Sequence, residues 1–183
     1  MKAKLGSMIV LVLFAAPAFA QKITIDYDHD YGFDKVKTFT YTSTDETNSQ
    51  DQLMDGRIKD AIIKEVTEGG LQQVDSDPDL FITYHLTTKE NTVLSTTGMG
   101  YGGYGRGWGG WGGGMSTSTT TVSTYTVGTL IVDAYEPADK NLVWRGTGTV
   151  TVKAKPEKQT QQINKIMAKM GDKWDKILAN QGE

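Results

Sequence analysis

The chain has 183 residues, a formal net charge of −3 and no cysteine. That length is enough for one ordinary hydrophobic core. Mild acidity, spread along the chain, argues against nucleic acid as a partner, which requires a basic face. The absence of thiols excludes disulfides, Cys-based metal sites, thiol nucleophiles and thioether lipid anchoring.

The N-terminus has the three parts of a secretory signal. Lys2 and Lys4 form a positive start, Met8–Phe14 is an uninterrupted apolar run, and Ala18-Phe19-Ala20 is an A-x-A cleavage site just after Pro17. The apolar stretch is roughly 13 residues, short of the roughly 20 of a membrane span. Cleavage is expected between Ala20 and Gln21, leaving a periplasmic or secreted chain with no lipid anchor. No later segment is apolar and long enough to span a bilayer, so no transmembrane span is expected in the mature chain.

Lys22–Asp28 alternates, with Ile23, Ile25 and Tyr27 on one side, and predicts a half-buried strand. A short strand follows at Lys37–Thr42, with Phe39 and Tyr41 facing inward. Asp51–Glu68 predicts a helix: Met54, Ile58, Ile62 and Val66 recur every four residues, and Leu53 and Ala61 widen the stripe. Ser49 and Gln52 have capping-box spacing, and Gly69-Gly70 suits a left-handed C-cap. After the turn Asp75–Asp79, Leu80–Leu86 alternates as a strand that can run on to about Leu94.

Residues 98–114 contain 11 glycines among 17 positions, with Tyr101, Tyr104, Trp108 and Trp111 spaced between them. Glycine has a high ordering cost and no side chain to bury, so a flexible loop at a hairpin connection is expected. Ser116–Tyr135 resumes as a long Thr-rich strand. Leu142–Lys155 is the last strand, with Gly146 and Gly148 as sites of a bulge or a close approach. Pro156 opens a second amphipathic helix that runs to the end, with Gly171-Asp172 as an interruption. These elements predict a single α+β domain over 21–183: one mostly antiparallel sheet of about five strands, with two amphipathic helices packed on one face.

The chain resembles a bacterial envelope family catalogued as domain of unknown function 4136. The resemblance is carried by Asp26-Tyr27-Asp28, the Phe33–Tyr41 stretch, Arg57-Ile58 with Ala61-Ile62, and Asp77-Pro78-Asp79-Leu80 leading to Tyr84-His85. It continues through Gly128–Asp133 and Leu142-Val143-Trp144-Arg145-Gly146. It implies an exported envelope protein, often a lipoprotein, with no catalytic assignment. This chain lacks the lipid-acceptor Cys, and it ends in Asn180-Gln181-Gly182-Glu183 where the family has a Phe-Pro-Pro type ending.

The acidic runs Asp26, Asp28, Asp30 and Asp75, Asp77, Asp79 fail the EF-hand test. The first has Tyr31 at the glycine position, and Leu86 stands at the twelfth position of the second. They read as turns. His85 and His29 are too few for a histidine zinc site without carboxylates. No serine lies in a G-x-S-x-G elbow, and the G-x-G-x-x-G match at Gly98–Gly103 lies in a glycine run with no helix after it. Trp144 and Arg145 point to opposite faces of their strand, Trp144 toward the core and Arg145 outward, where it is a candidate glycan or peptide contact.

No cofactor or enzymatic activity is expected. The sequence favours an exported, non-catalytic binding or structural domain. Its candidate contacts are Tyr101, Tyr104, Trp108, Trp111 and Arg145, with an envelope protein, glycan or lipid surface as partner of the loop. The alternative is a periplasmic hydrolase or metal-dependent enzyme using His85 with nearby carboxylates. Convergence of His85 with two acids would favour it.

Overall fold

The structure is a computed structural model that describes residues 21–43, 51–98 and 118–181. The elements are β1 (Lys22–Tyr27), a 3-10 turn (Phe33–Lys35), β2 (Thr38–Tyr41), α1 (Gln52–Glu68), β3 (Gln72–Gln73), β4 (Leu80–Gly98), β5 (Ser118–Tyr135), β6 (Leu142–Thr151) and α2 (Pro156–Gln181). The fold is α+β with one sheet, in the order β1-β6-β5-β4-β2-β3.

The sheet corrects the expected strand count and direction. It has six strands and is mixed. β1, β6, β5 and β4 pair antiparallel in turn, but β2 runs parallel to both β4 and β3. The reason lies in α1. A helical crossover returns the chain to the end where it started, so the next strand runs parallel to the last. β3 is two exposed glutamines with no apolar pattern. Backbone bonds hold it, Gln72 N to Lys37 O at 2.8 Å and Val74 N to Phe39 O at 2.9 Å, and Thr40 Oγ1 donates to Val74 O.

Both helices cover the face of the sheet that carries Ile82, Tyr84, Leu130 and Val132. These residues are buried together with Ile58 and Ile62 of α1 and Ile163, Ile166 and Met170 of α2. Each fully buried large side chain of this kind contributes about 1.5–3 kcal/mol. Gly146 and Gly148 are close-approach sites. A Cβ at Gly146 would lie 2.9 Å from Met170 Sδ, and one at Gly148 would strike the Ile166 side chain. The bulge is elsewhere, between Ala134 and Tyr135.

At its start α1 is capped by Asp51, whose carboxylate accepts from Leu53 N at 3.0 Å and Met54 N at 3.1 Å. Ser49, the expected capping residue, lies outside the described residues. Leu53, expected on the stripe, is 72% exposed. At the other end Gly70 adopts φ +100°, as a left-handed C-cap requires. α2 is continuous through Gly171, so the expected interruption does not occur.

β4 and β5 pair from Phe81↔Tyr135 out to Gly98↔Ser118, but β6 covers β5 only over Val127–Tyr135. The rest of the hairpin is a two-stranded ribbon on which the facing pair Leu94 and Val122 is exposed.

Candidate functional site

Two places gather chemically capable side chains. The first is on the sheet face away from the helices. Register aligns Thr83 of β4, Asp133 of β5 and Arg145 of β6 across the sheet. Asp133 is fully buried. Arg145 grips it with two charge-assisted bonds, Nε to Oδ1 at 2.6 Å and Nη2 to Oδ2 at 2.8 Å. His85 Nε2 lies 3.5 Å from Oδ2, and Tyr135 Oη donates to the same oxygen at 3.4 Å. Burial and then the Asp133 charge raise the Tyr135 phenol above its usual value. The Arg145 guanidinium is raised first by its bonds to Asp133.

This grouping brings together His85 and Arg145, both of which the sequence singled out. Its organising residue is Asp133, which the sequence analysis missed. The available signal was one acid inside the apolar run Leu130-Ile131-Val132-Asp133-Ala134. The nearby hydroxyl, Thr83 Oγ1, is buried without a hydrogen-bond partner. A nucleophile needs a base within hydrogen-bond reach, and among the described residues Thr83 has none. No group of three or more His, Asp or Glu side chains among the described residues could hold a metal ion. The carboxylate beside His85 is itself neutralised by Arg145, so the arrangement is an ion pair between a buried carboxylate and a partly exposed guanidinium.

Asp79 has a comparable structural use. Its carboxylate accepts from Lys37 N, Thr38 N and Thr38 Oγ1, each at 2.9 Å, and ties the start of β2 to the start of β4. Those bonds hold its carboxyl below the usual range. Ala18, Ala20, Tyr101, Tyr104, Trp108 and Trp111 lie outside the described residues. Gln21 precedes β1, and its Oε1 is buried with no hydrogen-bond partner among the described residues.

The second place is a cleft between α1, α2 and the sheet, with a cavity volume of about 400 Å³. Sheet residues Ile82, Val132 and Trp144 form its floor, with Val66 of α1 and Met167 and Trp174 of α2 on the sides. Phe33, from the 3-10 turn, packs edge-on against Trp174 at 4.8 Å between ring centroids, and Trp174 packs the same way against Trp144 at 6.2 Å.

Glu65 is the unusual member of this lining. It is half-buried, and no hydrogen-bond donor or cation among the described residues reaches its carboxylate. Burial is the first cause that raises its carboxyl above the usual range. The charges of Glu68, Asp172 and Asp175 add to it, and Lys64 opposes them. Gly171 makes room for it: a Cβ there would clash with Glu65 Oε1. Sequence periodicity missed this pair. Its signals were an acid one turn from Ala61 and Ile62 and a glycine in the middle of a helix.

The model of a family described as a domain of unknown function, DUF4136, matches residues 23–173. The chain belongs to this family. The DUF4136 match runs from β1 to the last third of α2, and it takes in Asp133, Arg145, Glu65 and Gly171. No curated protein matches the chain.

Several solved structures resemble this DUF4136 chain. One is a PDZ domain protein from Parabacteroides distasonis, at 14% identity and a TM-score of 0.49, covering 80% of this chain and 35% of that one. The chain thus spans about a third of that protein's length. Another is a DUF4136 family protein from Bacteroides thetaiotaomicron, at 13% identity and a TM-score of 0.47, covering 85% and 96%. A third is the PelC dodecamer from Paraburkholderia phytofirmans, at 9% identity and a TM-score of 0.45, covering 83% and 98%.

Proposed function

We propose that this protein is an exported cell-envelope domain that acts by binding rather than by chemistry, with the helix–sheet cleft as its binding site. The observation that carries this reading is the cleft itself. Its volume falls within the range of small-molecule sites, about 300–1,000 Å³, and its walls are apolar with a few polar groups at the edge. The outer-face group favours binding over chemistry, because Arg145 and His85 both serve one buried carboxylate. Export rests on the signal-like Met1–Ala20, and mass spectrometry of envelope-derived protein tests it by the presence or loss of those residues.

A cleft-filling variant tests the binding site. Ala134 is buried and lines the cleft, so Ala134→Leu fills part of it. Decanol is expected to raise the melting temperature of the parent and not of Ala134→Leu, because a ligand that binds only the folded state stabilises it. An equal shift in both proteins, or none in either, overturns the reading.

The Gly/aromatic segment is proposed as a second, surface contact with the envelope. The pairing of β4 and β5 out to Gly98↔Ser118 supports it, since the segment then joins the far end of the ribbon. Replacing Tyr101, Tyr104, Trp108 and Trp111 by Ser should reduce association with envelope fractions without lowering the melting temperature. Unchanged association removes this contact.

A further inference from the structure

We infer that the cleft takes an amphiphilic organic cation: an ammonium head seated against Glu65, on an apolar body lying between the helices and the sheet. The inference rests on the cleft being the binding site and adds the chemistry of its occupant.

Charge is the first argument. The ionisable side chains that line the cleft are Glu65, Glu68 and Asp175, all acidic. Glu68 has a cation nearby, with Lys64 Nζ at 3.8 Å, and both side chains are well exposed. Among the described residues no cation forms an ion pair with Glu65, the more buried of the two glutamates, and Lys64 acts on it only as a nearby charge. A half-buried carboxylate without a partner is unfavourable for folding, and such groups gather where a ligand completes the pair.

The walls supply the second argument. Phe33, Trp144 and Trp174 line the same cleft and pack edge to face. Aromatic faces carry negative quadrupole density and attract ammonium groups, most strongly where water is excluded. Acid at the edge and aromatic rings beside an apolar floor together select a positive head with an apolar tail.

Gly171 is the third. A helix interior disfavours glycine by about 1 kcal/mol relative to alanine. At this position a methyl group would displace the Glu65 carboxylate. The glycine leaves the space that the Glu65 carboxylate occupies at the cleft, and a larger residue there would turn this flexible side chain aside.

The test compares decyltrimethylammonium, decanol and decyl sulfate by isothermal titration on the mature chain. Each is kept below its micelle-forming concentration, at low ionic strength. The cation is expected to bind about tenfold tighter than the sulfate. Glu65→Gln should weaken the cation about five- to tenfold and leave decanol unchanged. Glu157→Gln, on the exposed first turn of α2, changes the same net charge away from the cleft and should leave all three unchanged. Decyl sulfate binding as tightly as the cation, or no effect of Glu65→Gln, overturns the inference while decanol binding preserves the cleft. If none of the three binds, the cleft reading fails as well.

Discussion

Tyr84 on β4 donates its phenol to Asp55 Oδ1 on the first turn of α1 at 2.5 Å. Tyr84 is 1% exposed, and burial is the first cause that pushes its pKa far above the usual phenol value, followed by the bond to Asp55. The bond fixes the start of α1 over the centre of the sheet. It also places a negative charge at a helix N-terminus, where the macrodipole favours it.

Tyr84→Phe keeps the ring in the core and deletes only the hydroxyl. A hydrogen bond to a charged group contributes about 1.5–3 kcal/mol, so a loss in that range is expected in urea denaturation. A change below about 0.5 kcal/mol would show that solvent satisfies Asp55 equally well.

Removing Arg145 leaves Asp133 buried and without its main partner. Arg145→Ala is expected to destabilise by about 1.5–3 kcal/mol, the range for hydrogen bonds to a charged group, because the arginine is itself partly exposed. His85→Ala should be far milder, because its contact with Asp133 is longer. Arg145→Lys should recover only part of the loss, since an ammonium cannot reproduce the two-pronged geometry. If the histidine variant proves as damaging as the arginine one, His85 is the dominant partner and the assignment reverses.

Glu65 predicts a stabilising substitution. Its carboxyl is raised in the folded state, so the stability linked to its proton is present below the unfolded value and lost as pH rises through the folded one. Glu65→Gln mimics the protonated form. It should melt higher than the parent at about pH 7, and the difference should close below the ordinary glutamate value of about 4.3. A variant that melts lower at neutral pH would show that the charge is compensated.

Asp79 predicts the opposite sign. Bonds from Lys37 N and Thr38 hold its carboxyl low. The stability it adds is present above the unfolded value of about 3.9 and lost as pH falls through the lower folded one. Asp79→Asn should therefore melt below the parent at neutral pH, and the gap should narrow in acid. Because this residue joins β2 to β4, hydrogen exchange in β2 should quicken in the variant. Unchanged exchange there would remove Asp79 from the strand junction.

Local pattern determined much of this protein. The four-residue spacing of Ile58, Ile62 and Val66, the alternation from Leu80 to Leu86 and the glycine cap after Glu68 each depend on neighbours within a turn or two. The helices and long strands were legible for that reason, as were the opposite directions of β4, β5 and β6, joined in succession. The family resemblance rested on similarly local motifs. Tertiary structure alone decided the rest. β3 has no side-chain signal, and the parallel place of β2 depends on where the α1 crossover sets the chain down. Arg145 meets Asp133 through strand register, and Glu65 meets Gly171 only because α1 and α2 pack side by side over the sheet. A pairing between distant segments leaves no period in the sequence, since each partner by itself is an ordinary charged residue or glycine until the fold removes its water.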